Sequence, residues 1–176
     1  TTFYARVMET HLSKAVELKP ENTDARAALG DVYAKAGKID QAKETYGEAL
    51  EVNPHLGKVL SNLGLIENST GNMASALEHL QKAIHLEPEN AVFYNNLATV
   101  YLENKQYEEA RQTVEKALKL EPNSALAHCT YGEILMELKN HQAAIYEFQK
   151  ALNDPKWGPF AKKQIRALKQ KVSFKE

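Results

Sequence analysis

AVFYNNLATVYLENKQYEEARQTVEKALKLEP, residues Ala91–Pro122, is the stretch whose reading decides the fold. It reads as one helix–turn–helix unit, and the chain repeats it in both directions at a fixed step. Pro20, Pro54, Pro88 and Pro122 lie 34 residues apart, each just after an apolar-periodic helix, and Pro155 follows one residue early. Small residues keep the same step. Ala42, Ala76, Ala110 and Ala144 share one phase, and Ala15, Ala49, Ala83, Ala117 and Ala151 share another. Gly30, Gly64 and Gly132 share a third, with Ala98 in the place of a fourth glycine. Several phases in register at a 34-residue period are the signature of a helical solenoid.

The small residues have a packing reason. An Ala or Gly in each helix lets two backbones approach, and larger side chains from the neighbours fill the space. Those partners recur too: Leu29, Leu63, Leu97 and Tyr131 just before the small position, and Leu50, Ile84, Leu118 and Leu152 late in the second helix. Tyr33 and Tyr101 fill one further phase, which Glu67 and Leu135 occupy in the other units.

The run LGDVYAKAGKIDQAKETYGEALEVNP, Leu29–Pro54, carries the pattern L-G-x-x-Y … A-x-x-x-Y-x-x-A-L … P. It resembles the tetratricopeptide repeat, and the resemblance covers the chain up to its C-terminal tail. It implies an all-α, right-handed superhelical solenoid of antiparallel helix pairs. The concave surface of such a solenoid, lined by each unit's first helix, holds a peptide or partner protein. The family serves as adaptors in unrelated systems, so the fold names a scaffold and not a partner.

Set in phase, the units are 23–56, 57–90, 91–124 and a shortened 125–155. Residues 1–22 match only the second helix of a partial unit, since Leu12, Ala15, Val16 and Pro20 fall on Tyr46, Ala49, Leu50 and Pro54. Half a unit leaves an apolar face uncovered. Either the natural chain continues upstream, which is the favoured reading, or that face packs on another molecule. Residues 156–176 give a C-terminal capping helix and basic tail: Pro159 opens an amphipathic stretch with Phe160, Ile165, Leu168 and Val172 on one face. All of this reads as one domain.

Composition excludes several classes. A net charge of -1 with 43% hydrophobic and 26% charged residues describes a folded globular chain and not a disordered or collagenous one. Cys129 is the only cysteine, so no internal disulfide and no cysteine metal cage exist, and a lone thiol fits a reducing compartment. No apolar run is long enough to span a membrane. The start TTFYARV has no initiator Met and reads as a processed form or a fragment, so localisation is not legible.

Catalytic chemistry finds no foothold. His11, His55, His79, His85, His128 and His141 form no i, i+4 pair, and HExxH and GxSxG are absent. His128 sits in the phase of Leu60 and Tyr94, a packing or groove position. The glycines do not cluster into a phosphate loop, and acid pairs such as Glu108–Glu109 lie on a solvated helix face. The expectation is no enzyme and no cofactor. The C-terminal stretch carries Lys162, Lys163, Arg166, Lys169, Lys171 and Lys175 against Glu176. It lacks aromatic interleaving for base stacking, so no nucleic acid is expected. A wet lysine face is favoured over an acidic partner or a membrane surface.

The sharper expectation lies on the first helices. Asn62 and Asn96 stand at equivalent points, directly before the Leu–Gly or Leu–Ala pair. A carboxamide offers donor and acceptor side by side and bonds both main-chain groups of an extended peptide. The arrangement resembles the asparagine ladder in the repeats of O-linked N-acetylglucosamine transferase, but Ala28 and Thr130 cut it short. Solvated polar residues in a helix are an equal reading of both asparagines. Each hydrogen bond contributes roughly 0.5–1.5 kcal/mol, and ordering a peptide costs at least about 4 kcal/mol, so apolar anchors are required. Leu65, Val92, Thr99, Leu102, Leu126, Cys129 and Met136 occupy groove phases of these helices. The carboxylate clamp used elsewhere in the family needs cations where this chain has Ala27, Asp31, Val92 and Asn96, or Ser61, Leu65, Leu126 and Thr130. That ligand is rejected. The partner expected is a protein or an extended peptide lying between Thr23 and Met136, or a second copy meeting the open N-terminal helix.

Overall fold

The computed structural model describes residues 3–173. The side chains of Lys171 and Val172, and the tail with Lys175 and Glu176, lie outside the described residues. Ten helices and no strand occur among them, so the architecture is all-α. They are α1 (Phe3–Leu18), α2 (Thr23–Lys35), α3 (Ile39–Val52), α4 (Gly57–Ser69), α5 (Met73–Leu86), α6 (Ala91–Glu103), α7 (Tyr107–Leu120), α8 (Ala125–Glu137), α9 (His141–Lys150) and α10 (Gly158–Ser173). They fall into two compact units that divide between Pro88 and Glu89.

Local chemistry sets the helix ends. Asn22, Asn72, Asn90 and Asn140 cap α2, α5, α6 and α9 by accepting backbone N–H bonds from Ala25, Ser75, Val92 and Ala143. Between first and second helix, each pair turns through one left-handed residue: Gly37 (φ 73°), Gly71 (φ 84°), Lys105 (φ 62°) and Lys139 (φ 62°). The next N–H reaches back five residues, as from Lys38 to Tyr33 and from Asn140 to Leu135, both at 2.9 Å. That bond belongs to the Schellman turn, which glycine enters without steric penalty and lysine does not. The second helices α3, α5 and α7 end just before Pro54, Pro88 and Pro122, which have no N–H to continue a helix.

In the first unit α2 packs on α3, α4 on α5, and α1 on α2; in the second α6 packs on α7, and α8 on α9. The alanines do what their spacing implies: Ala42, Ala76, Ala110, Ala144, Ala49, Ala83, Ala117 and Ala151 are all 0% exposed. A size match governs each pair. A Cβ on Gly30 would sit 2.4 Å from the Tyr46 ring, one on Gly64 3.0 Å from Leu80 Cγ, and one on Gly132 2.7 Å from the Phe148 ring. Where Ala98 replaces glycine, the residue in the same cluster at the ring's phase is the smaller Val114. Small faces large, and a larger Cβ is tolerated only against a smaller partner.

Both chain ends of the repeat depart from this pattern. No residue of α1 is buried, and Phe3, Tyr4, Met8 and Leu18 are exposed. Ala15 is half-buried, although its four equivalents are fully covered. The last second helix, α9, stops at Lys150. Leu152, expected within that helix, lies in the following turn and is exposed. The head of α10 closes on this turn, where a Cβ on Gly158 would lie 2.3 Å from Leu152 O. Ala161, Ile165 and Leu168 of α10 are buried with Ile145 and Phe148 of α9, and the Phe160 ring meets Phe148 edge-on at 6.1 Å. Lys162, Lys163, Arg166 and Lys169 stay at the surface.

Candidate functional site

In the first unit, Asp31 follows the glycine at which α2 and α3 close on each other, and this brings its carboxylate to the Tyr46 hydroxyl. Tyr46 donates to Asp31 Oδ1 at 2.6 Å, Asn62 Nδ2 to the same oxygen at 2.9 Å, and Lys58 Nζ to Oδ2 at 2.7 Å. The network ties α2 to α4. Burial alone would raise the Asp31 carboxyl, but the bonds from Lys58, Tyr46 and Asn62 outweigh it and hold the group below its ordinary value. Burial and the Asp31 charge push the Tyr46 phenol well above its own ordinary value. Asn62 is half-buried and donates inward, to Asp31 and, at 3.4 Å, to Tyr46. Its amide nitrogen already serves the fold. Leu65 is half-buried further along α4.

In the second unit α6 touches α8 as well as α7. Val92 is 44% exposed, and Asn96, Thr99, Leu102, Leu126 and Met136 are half-buried. The Thr99 hydroxyl donates to Asn95 O at 3.1 Å, within its own helix. Cys129 does not lie on this face. It is 2% exposed in the core with Leu135, Ala144 and Phe148, and burial pushes its thiol up to about 12. On α8 its phase falls between those of Leu126 and Met136, and what sets it apart is its cover by the core cluster shared with α9 and α10. Those two remain beside the exposed face; Cys129 does not join them.

Leu102 and Met136 lead into a cleft of about 350 Å³, which also has Glu103, Tyr107, Glu133 and Glu137 in its wall. Glu133 is half-buried. Burial and then the charge of Glu103 raise its carboxyl above the ordinary range. Tyr107 donates to Glu137, and burial followed by that charge raises its phenol.

Two histidines, one in each unit, bind glutamates across a helix pair: His79 Nδ1 lies 2.7 Å from Glu67 Oε2, and His128 Nδ1 2.7 Å from Glu147 Oε2. His128 Nε2 also faces Pro122 O at 2.9 Å. Both ring nitrogens are engaged and the ring is buried, which suits a packing role and leaves no open nitrogen to act as a base. Among the described residues, no group of three or more His, Cys, Asp or Glu could hold a metal ion.

Sequence reading met Asp31 only as a clamp position without a cation and missed Glu133. A detectable signal existed. Both carry a carboxylate at the phase where α4 has Leu65 and α6 has Thr99. Glu67, replacing a tyrosine in a packing phase, similarly pointed to a buried partner, which is His79.

Sequence models of the tetratricopeptide repeat match residues 27–91 and 69–128, together more than half of the chain. No curated protein matches it. A thermophilic tetratricopeptide-repeat protein of Thermus thermophilus superposes with a TM-score of 0.81 at 18% identity, covering 91% of this chain and 88% of that one. The APC/C hetero-tetramer Cut9–Hcn1 gives a TM-score of 0.82 at 23% identity, over 94% of this chain and 33% of that chain. YrrB, a repeat protein with an unusual peptide-binding site, gives 0.65 at 21% identity, over 91% and 84%. At such identities the likeness is one of fold.

Proposed function

Because the chain belongs to the tetratricopeptide repeat family, whose fold is a protein–protein interaction scaffold, we propose that it acts without catalysis by binding extended partner segments. The segments lie on the exposed face of α2 and α4 in one unit and of α6 and α8 in the other. The observation that carries this reading is the apolar character of the second face. Val92 is a large exposed hydrophobic, and half-buried Leu102, Leu126 and Met136 belong to the same two helices. Fully covering one such side chain contributes about 1.5–3 kcal/mol. Half-buried side chains gain only part of that, so several such anchors together with main-chain bonds are needed to offset the cost of ordering a segment. YrrB, with the same fold, supports a peptide as the class of ligand.

The test is to capture a partner with the intact chain, identify it by mass spectrometry and titrate it into variants by calorimetry. Val92→Glu should weaken binding at least about tenfold, whereas Lys116→Ala on the exposed side of α7 should not. Unchanged affinity with Val92→Glu rejects the face. The double change Asn62→Ala, Asn96→Ala measures the asparagines separately, and no loss there removes them from recognition.

A second reading rests on α1, which exposes Phe3, Tyr4 and Met8 and buries nothing. That helix would mediate self-association. Sedimentation over a range of concentrations should show a dimer that Met8→Lys dissociates; a monomer throughout dismisses this reading.

A further inference from the structure

His128 lies in a phase that α4 fills with Leu60 and α6 with Tyr94, so packing does not demand a polar side chain there. In α2 the same phase holds Arg26. Arg26 donates to the carbonyl of Pro20 at 2.8 Å and to the Glu48 carboxylate on α3. His128 repeats that pattern later in the chain: its Nε2 lies 2.9 Å from the carbonyl of Pro122, and its Nδ1 2.7 Å from Glu147 Oε2 on α9. In both places the first helix is tied at once to the proline before it and to the second helix after it.

The partners of the ring decide its charge. A carbonyl oxygen only accepts, and Lys150 Nζ, 3.5 Å from Glu147 Oε1, favours the charged carboxylate, which also only accepts. Tyr131 of α8 feels the Glu147 charge too, but its hydroxyl donates to Glu115 of α7 at 2.9 Å. Both ring nitrogens of His128 must then donate, and only the imidazolium has two N–H groups. The neutral ring has one, and it would leave an oxygen without its donor beside a side chain only 4% exposed.

We propose that His128 is a pH-sensitive latch: its charged ring joins the turn after α7 to α8 and α9, and loss of its proton releases one of the two bonds. Arg26 is the permanent counterpart in the first unit. Because folding favours the protonated ring, this contribution is complete on the acid side of neutrality and is lost as pH rises. The latch belongs to the fold and acts with or without a ligand on the exposed face.

Ring-nitrogen NMR of the intact, isotopically labelled chain tests the charge directly. At about pH 7.5, where an ordinary histidine has mostly lost its charge, both nitrogens of His128 should bear protons. Urea unfolding read through Trp157 fluorescence tests the consequence. Between about pH 6 and about pH 8.5 the unfolding equilibrium constant of the second unit should rise about tenfold. In His128→Arg, charged throughout as Arg26 is, it should rise far less. A bare ring nitrogen on His128 at about pH 7.5, or an equal rise in both proteins, overturns the latch.

Discussion

Gly132 and Phe148 allow the size match between paired helices to be tested as an energy. In Gly132→Ala the new Cβ would lie 2.7 Å from two ring carbons of Phe148 and 2.9 Å from a third. Comfortable carbon–carbon contact is about 3.5–4.0 Å, so the ring must retreat by about 1 Å. It has little room, being 0% exposed and held edge-on by Phe160. Overpacking of this kind costs about 1–3 kcal/mol, offset by about 0.5–1 kcal/mol from removing a helical glycine. The expected net loss is about 1–2 kcal/mol. In a Phe148→Val background the ring is gone, and the pair becomes that of Ala98 and Val114. There Gly132→Ala should stabilise by about 0.5–1 kcal/mol, which reverses its sign. Urea unfolding of the four proteins, read through the fluorescence of Trp157, the chain's only tryptophan, measures this cycle in the second unit. An equal cost for Gly132→Ala in both backgrounds refutes the close-approach argument.

The turn residues give a second prediction: Lys105→Gly and Lys139→Gly should each add about 0.5–1 kcal/mol to the unfolding free energy, read as a higher urea midpoint, because they relieve a left-handed backbone. Asp31 is held below its ordinary 3.8, so its contribution is complete at neutral pH and declines as pH falls from about that value through the lower folded value. Asp31→Asn should flatten this acid limb in pH-dependent unfolding of the first unit, and an unchanged limb contradicts the network. Glu133 is displaced the other way, so its ionisation opposes folding once pH rises past its ordinary 4.5. Glu133→Gln should therefore stabilise the second unit at neutral pH and lose that advantage near pH 4, as thermal melts at the two pH values will show.

What the sequence discloses and what it withholds follow from different ranges of interaction. The 34-residue step dictates the backbone, because each alanine must let a neighbouring helix approach whatever its other neighbours are. The eight repeat alanines of the four paired units are accordingly all buried. The partners of Asp31 were not legible. They lie 15, 27 and 31 residues away, and their meeting depends on side-chain directions between adjacent pairs. Cys129 shares the helical phase of Leu126 and Met136, yet residues of α9 and α10 cover it, a contact that phase alone does not disclose. Leu152 followed the period faithfully until the approach of α10 ended its helix early. Periodic pattern predicts elements well where each unit meets another like itself, and less well where an unlike helix intervenes.

The burial of Cys129 makes the chain its own stopwatch. It is the only thiol, and shielding by α9 and α10 together with its raised pKa keeps the reactive thiolate scarce. A thiol reagent therefore waits for α8 to be uncovered. The dependence of labelling rate on denaturant then separates brief local openings from unfolding of the whole second unit. Adding a bound peptide should slow that clock in proportion to how tightly it holds the unit closed.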